Sequence, residues 1–291
     1  MIQNVLGLPV ELAVPFDFSF LARYGTPFCV FDQQQSGNIA FGMQSAQWGK
    51  LFVKFAGAPT VNARVAPAPA AETLCLAMSA YQALYAHPAL VKLLGCGTVA
   101  GGYAAVFRWA EGVNLYPGTR FSPAERYTHP DSPLCQLSHQ PLLVRLRMLD
   151  NVFDFHRYAL SKGFMAVDFY DGSLLADFDT GRITLCDIDL YRRMPCRNDR
   201  GRMPGSSRFL SPEEYELGAP LDGLTLQYTM GALAFAFLAD HGSREAGAWM
   251  AAAPLYAVAA RACAEDRAER YPSYDAFLSD WRETVGKITV Y

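Results

Sequence analysis

Two aspartates set the chemistry this chain could perform. Asp168 follows the apolar run Phe164-Met165-Ala166-Val167, and Asp187, nineteen positions later, follows Ile183-Thr184-Leu185-Cys186. Between them Gly172 and Gly181 break the chain, and Ser173-Leu174-Leu175 and Arg182-Ile183-Thr184-Leu185 alternate or run apolar as short paired strands do. Such a hairpin makes the two carboxylates converge. A hard divalent cation takes oxygen ligands. A hydroxyl nucleophile needs a carboxylate to orient it and accept its proton, so the pair suits phosphoryl transfer. The plainer reading is that turns after strands favour Asp for their own hydrogen bonding, and the pair alone does not separate the two.

Lys54 is the next candidate. It interrupts the apolar run Leu51-Phe52-Val53-Lys54-Phe55, so its ammonium either snorkels to water or meets an anion. Simple alternation along a strand would also turn it to solvent. Arg192, Arg193, Arg197, Arg200, Arg202 and Arg208 crowd the segment from Leu190 to Phe209 against Asp199 alone. They read as a solvated loop or as a surface for an acidic or phosphorylated substrate. His156 and Cys186 stand near the acids in sequence but read as packed residues, and no Ser/His/Asp triad or His-rich cluster stands out.

The elements that must position these groups fall into two groups. Residues 1–24 read as an irregular apolar lead with a short helix over 16–23. Strands are expected over 27–32, 39–44 and 51–55, and a helix over 71–85 whose stripe of Leu76, Ser79, Ala80, Ala83 and Leu84 packs on a core. Two more strands, 91–96 and 103–109, meet at Gly101-Gly102. Residues 111–114 read as a linker, and a helix over 140–160 with apolar residues at helical spacing leads into Asp168. The expectation is an α+β chain: a lobe over 1–109 with five strands and one helix, then a mainly helical lobe over 110–291.

Composition bounds the rest. The chain has 291 residues with 51% hydrophobic and 13% aromatic content, which excludes a disordered class and allows two packed lobes. A net charge of -3 leaves no footprint for nucleic acid or an acidic membrane. Seven scattered cysteines without CxxC spacing argue against a disulfide framework or a zinc site and read as reduced thiols. No secretory pattern and no membrane-length apolar run appears, so a cytoplasmic protein with neither membrane nor nucleic-acid partner is expected.

Five strands, one helix, a linker and a helical lobe with two acids form an order that resembles the protein kinase-like superfamily, over nearly the whole chain. Phe52-Val53-Lys54-Phe55 resembles the strand whose lysine holds the phosphates of ATP. Asp168 stands where the catalytic-loop aspartate would, and Asp187 where the metal-binding aspartate would. Ser211-Pro212-Glu213 resembles the Ala-Pro-Glu that closes an activation segment, 26 residues after Asp187. Arg270 resembles the arginine that pairs with that glutamate, which implies a buried Glu213–Arg270 ion pair.

The resemblance implies a two-lobed kinase fold that uses ATP and Mg2+ to phosphorylate a serine or threonine hydroxyl of a protein substrate. It implies catalytic roles for Lys54, Asp168 and Asp187, and metal ligation by Asp187, Ser173 and Asp189. Nucleotide contacts fall to Lys54, its partner Glu72, Gly37 of a reduced glycine loop, a gatekeeper at Val106, the Phe107 carbonyl and the Trp109 amide.

The chain also departs from the pattern. Ala166-Val167-Asp168 replaces His-Arg-Asp, Tyr170 replaces a lysine, and Ser173 replaces the asparagine that ligates a second metal. Glu72 is the only carboxylate of its helix, whereas the family's position falls near Met78. Asp171 and Asp177 read as turn and surface residues. Asp189 two positions after Asp187 resembles the aminoglycoside and choline phosphotransferase branch, which makes a small-molecule hydroxyl acceptor one alternative. A nucleotide-binding pseudokinase scaffold is another.

Overall fold

The computed structural model describes residues 1–118 and 120–289. It is an α+β protein of small antiparallel sheets and helices, and it divides into two compact units, Met1–Ala110 and Glu111–Tyr291.

The first unit opens on a hairpin of β1 (Ile2–Val5) and β2 (Leu8–Glu11), followed by a 3-10 turn over Ser19–Tyr24. This corrects the expected irregular lead: each strand has only four residues, too few for alternation to register, and the turn is made by Leu6 and Gly7 at positive φ. Then come β3 (Thr26–Phe31), β4 (Asn38–Ser45), β5 (Gly49–Ala56), α1 (Pro67–Ala83), β6 (Leu93–Val99) and β7 (Gly102–Arg108). The five strands after the hairpin form one antiparallel sheet in the order β3-β4-β5-β7-β6.

Period-two alternation gives this sheet two different faces. One carries Phe41, Val53, Phe55 and Val106 and is covered by Val10, Leu12, Phe18 and Phe20 of the N-terminal segment, with Phe20 and Phe55 rings 4.9 Å apart. The other carries Phe52, Lys54 and Phe107, and Tyr81 of α1 packs there, 4.9 Å from the Phe107 ring. The buried stripe of α1 is Ala70, Leu74, Ala77, Met78, Ala80 and Tyr81, so of the expected stripe Ala80 and Leu84 are buried while Leu76 and Ser79 are exposed. Leu76 is 68% exposed, because the helix starts at Pro67 and its phase is set by the sheet beneath it.

The second unit contains β8 (Val113–Asn114), α2 (Glu125–Thr128), α3 (Pro133–Ser138), α4 (Leu142–Ser161), β9 (Phe164–Met165), β10 (Leu174–Asp177), β11 (Arg182–Leu185), β12 (Arg192–Arg193), β13 (Cys196–Arg197), β14 (Pro220–Leu221), α5 (Gly223–Leu238), α6 (Ala253–Ala262) and α7 (Tyr274–Thr289). Helix α4 packs against α5, α7, β9 and β11. Helix α5 is capped by Asp222, which accepts from the Leu224 amide at 2.9 Å, and is buried along most of its length. Residues 113–114, expected as linker, pair with β10 and make a three-stranded sheet β11-β10-β8. None of the helices among the described residues is long and apolar enough to cross a membrane.

Candidate functional site

The hairpin of β10 and β11 sets the geometry around the two aspartates. Its register places Leu174 opposite Leu185, and one further bond, from the Cys186 amide to the Ser173 carbonyl at 2.9 Å, extends the ladder. Ser173 therefore faces Cys186, and Asp187 follows at the rim of the 168–173 loop. Phe169 anchors that loop: it is 5% exposed and meets the buried His156 ring edge-on at 4.3 Å. His156 is held in turn by the Tyr191 hydroxyl at 2.7 Å.

Asp168 is one of four non-glycine residues at positive φ among the described residues, at 62°. Such a backbone is sparsely populated by L side chains and persists only where its surroundings hold it. Gly205 lies so close that a Cβ there would sit 3.5 Å from Asp168 Oδ1, so the strand of chain ahead of Ser211 runs directly past the aspartate.

Tyr170 reports how the carboxylates are arranged. Burial first, then the charges of Asp168, Asp187 and Asp171 and the Cys186 thiol, push its phenol well above the ordinary range. The charges of three carboxylates thus act on one phenol. Asp171 is committed to an ion pair: its side chain is fully buried, and both of its oxygens accept from Arg208 at 2.7 Å. The expectation that Asp171 is a turn or surface residue is corrected on that ground, whereas Asp177 caps its turn through Thr180 and Asp179. Asp187 stays exposed and Asp168 half-buried.

A second network fixes the segment downstream. Arg270 donates to Glu213 at 2.8 and 3.1 Å, and the pair is almost wholly buried, 0% and 4% exposed by side chain, as expected. Arg267 bonds the same carboxylate and also grips Asp222 at 2.8 Å. Burial raises the Glu213 carboxyl, but the Arg270 hydrogen bond and charge outweigh it and hold the group below its ordinary value. Its neighbour Glu214 behaves oppositely. Burial pushes Glu214 up to about 7, against hydrogen bonds from Ser211.

The remaining expected residues belong to the first unit. Lys54 lies half-buried on β5, flanked across the sheet by Ala40 and Ala105, two side chains small enough to leave room beside it. Glu72 is exposed and off the buried stripe of α1, and it makes no ion pair among the described residues, so it is not the partner of Lys54. Met78 occupies the sheet-facing position instead.

Val106 cannot serve as a gatekeeper beside Lys54. It is in register with Val53 and packs in the apolar cluster on the opposite face, while Phe107, in register with Phe52, shares the lysine's face. The Trp109 amide is already spent on the Lys50 carbonyl at 3.1 Å. By the alternation of an antiparallel ladder the Phe107 carbonyl then points to β5 as well. Gly37, at φ 79°, is the glycine its turn requires, but the space beside it is taken by its own chain: a Cβ would meet the Val65 carbonyl oxygen at 2.9 Å and Ala70 Cβ at 3.2 Å. The Arg64 amide bonds the Gln35 carbonyl at 2.9 Å and ties the same turn down.

For a metal the residues offer oxygen. Asp187 and Asp189 flank the buried Ile188, and Ser173, also buried, lies across the hairpin from Cys186. No group of three or more His, Cys, Asp or Glu side chains able to hold a metal occurs among the described residues. That donor set fits Mg2+, which is held through one or two carboxylates and otherwise by phosphate and water. Most of the arginines around Asp199 are engaged: Arg192 pairs with Asp199 at 2.9 Å, Arg197 bonds the Gly218 carbonyl, and Arg193 covers the Phe164 ring. No family model and no curated protein matches this chain.

Proposed function

We propose that this chain is an ATP-dependent phosphotransferase built on the protein kinase-like plan and acting on a serine or threonine hydroxyl of a protein in the cytoplasm. The observation that carries the reading is the β10–β11 hairpin, which sets Ser173 opposite Cys186 next to Asp187, together with the Asp168 loop beside a segment locked by the buried Glu213–Arg270 pair. Lys54 adds to it, since it occupies the third strand of the five-stranded sheet with a helix following, which is the lysine position of protein kinases.

In this reading Asp168 orients the acceptor hydroxyl and takes its proton as that oxygen bonds to the γ-phosphorus and the bridging β–γ P–O bond breaks, with ADP leaving. Asp187, with Ser173 and Asp189, would hold Mg2+, which neutralises phosphate charge when bound. Lys54 would offset the charge of the α- and β-phosphates. The face assignment moves the gatekeeper to Phe107, the buried side chain next to Phe52 on the lysine's side.

A second reading has one observation of its own. The turn at Gly37 is filled by residues 63–70 and cannot approach phosphate as a glycine loop does, which favours a nucleotide-binding scaffold with slow or no turnover. Thermal melting with ATP and Mg2+, followed by radiolabel transfer to protein and metabolite acceptors, separates the two. Transfer abolished by Asp168→Asn supports the enzyme. Stabilisation by nucleotide without any transfer supports the scaffold.

A further inference from the structure

The second unit contains a cavity of about 270 Å³ that the acids described above do not use. Its wall is made by Ser207 and Arg208 from the segment ahead of Ser211, Tyr228 on α5, His241 and Arg244 after that helix, and Tyr127. No lining residue is acidic. Drug-sized ligands use pockets of roughly 300–1,000 Å³, so the space suits a phosphate-sized group with some water.

The charges are unevenly compensated. Arg208 is neutralised by Asp171. Arg244 donates to the Tyr228 hydroxyl at 2.7 Å and to the Arg208 carbonyl at 3.1 Å, both uncharged acceptors, and no carboxylate lies within ion-pair distance of it among the described residues. Its guanidinium also lies over the Tyr228 ring, 4.9 Å from the centroid, so each of these contacts is to an uncharged group and an anion could still pair with it. Tyr228, accepting from Arg244, retains its own hydroxyl proton to donate. His241 sits at φ 51°, a backbone few L residues adopt, stacked on Tyr127 at 5.1 Å and 24°. Its one acidic neighbour, Asp240 at 3.7 Å, is 70% exposed and therefore screened. The donors come from three separate parts of the chain, an arrangement that suits a tetrahedral oxyanion better than a planar carboxylate.

We propose that this cavity, with Arg244 as its cation and His241 as a further hydrogen-bond donor, is a binding site for a phosphate monoester. Because Arg208 is both its wall and the partner of Asp171, three residues from Asp168, the site stands beside the reaction loop. That position points to a phosphate carried by the acceptor. The binding claim rests on the cavity alone, and only its assignment to the acceptor rests on the function proposed above.

Calorimetric titration of the full chain tests this with inorganic phosphate and with a short glycine-rich peptide bearing one phosphoserine, alongside its serine and glutamate versions. The wild-type protein should bind phosphate and the phosphopeptide but not the other two. A phosphopeptide that binds more tightly than free phosphate identifies a protein acceptor, and equal affinities identify a small phosphorylated one. Arg244→Gln should weaken binding by about tenfold or more, as loss of a charged hydrogen bond does. His241→Ala, at a side chain 57% exposed and with folding checked by its melting temperature, should weaken it by about threefold. Wild-type protein that binds neither phosphate nor phosphopeptide overturns the site, as does glutamate peptide binding equal to phosphopeptide binding. Affinity unchanged in His241→Ala and in a folded Arg244→Gln or Arg244→Lys overturns it too. No nucleotide is involved, so a protein that binds phosphate but transfers none loses the proposed enzyme and keeps this site.

Discussion

The two units treat polar chemistry in opposite ways. In the first, the sheet is sealed on one face by aromatic and aliphatic side chains, and even the turn at Gly37 is closed by its own residues 63–70. In the second, charged groups are taken deep into the protein and paired there: Glu213 with Arg270 and Arg267, and Asp171 with Arg208. Burying ions is expensive unless geometry and further hydrogen bonds offset the desolvation. The buried pairs named here fix loops of the second unit, the unit that also carries Asp168 and Asp187. The difference teaches that the second unit holds its loops by paired buried charge, whereas the first holds its sheet by apolar packing and carries Lys54 half-buried on one strand.

The comparison breaks most visibly at the buried pair. Arg270→Ala leaves the Glu213 carboxylate with only Arg267, and Glu213→Ala strands Arg270. Either should cost about 3–5 kcal/mol in denaturant unfolding. A loss under about 1 kcal/mol would mean that the second unit is not held by its ion pairs.

The adjacent glutamates sharpen the point through pH. Glu214, raised to about 7 against an ordinary 4.5, contributes stability that is complete below about pH 4.5 and is lost as pH climbs through 7. That loss amounts to about 3 kcal/mol. Glu213, held below its ordinary value, contributes the reverse: stability present above pH 4.5 and lost as pH falls through its folded value. Thermal melting should therefore peak on the weakly acidic side, and Glu214→Gln, which keeps the amide contacts of the turn, should flatten the decline between pH 5 and 8. An unchanged slope in that variant would remove Glu214 as the cause.

Arg208→Ala leaves Asp171 buried without its partner and should cost about 2 kcal/mol, smaller because Arg208 is itself a third exposed. The smallest effect belongs to the first unit. Gly37→Ala must strain a positive φ against the Val65 carbonyl and should cost about 1–2 kcal/mol while leaving ATP affinity unaltered. Weaker ATP binding without loss of stability would show that Gly37 faces phosphate after all.

Much of this was legible in the sequence where apolar periodicity was long enough to read. Strands β3, β4, β5 and β7 and helix α4 follow their alternation or 3.6-residue spacing, and the β10–β11 hairpin follows its two glycine breaks. The Glu213–Arg270 pair was legible because two distant short motifs explain one another. The N-terminal hairpin was not, since four-residue strands carry too few positions. Val106 was assigned to the wrong face because side chains alternate by single residues, so a one-residue misplacement in register exchanges faces completely. Asp171–Arg208 and the cavity at Arg244 leave no local signal at all. Asp171 and Arg208 stand 37 positions apart and the cavity draws on residues from 127 to 244, and only the packing of the segment ahead of Ser211 brings them together.

The most direct test of the account is transfer of radiolabelled phosphate from ATP in the presence of Mg2+, comparing wild type with Asp168→Asn and Asp187→Asn at matched melting temperatures. The account predicts transfer by the wild-type protein to a hydroxyl acceptor, with a loss of roughly 10²–10⁴-fold in Asp168→Asn and a loss of Mg2+ dependence together with activity in Asp187→Asn. Transfer that survives both substitutions would contradict it.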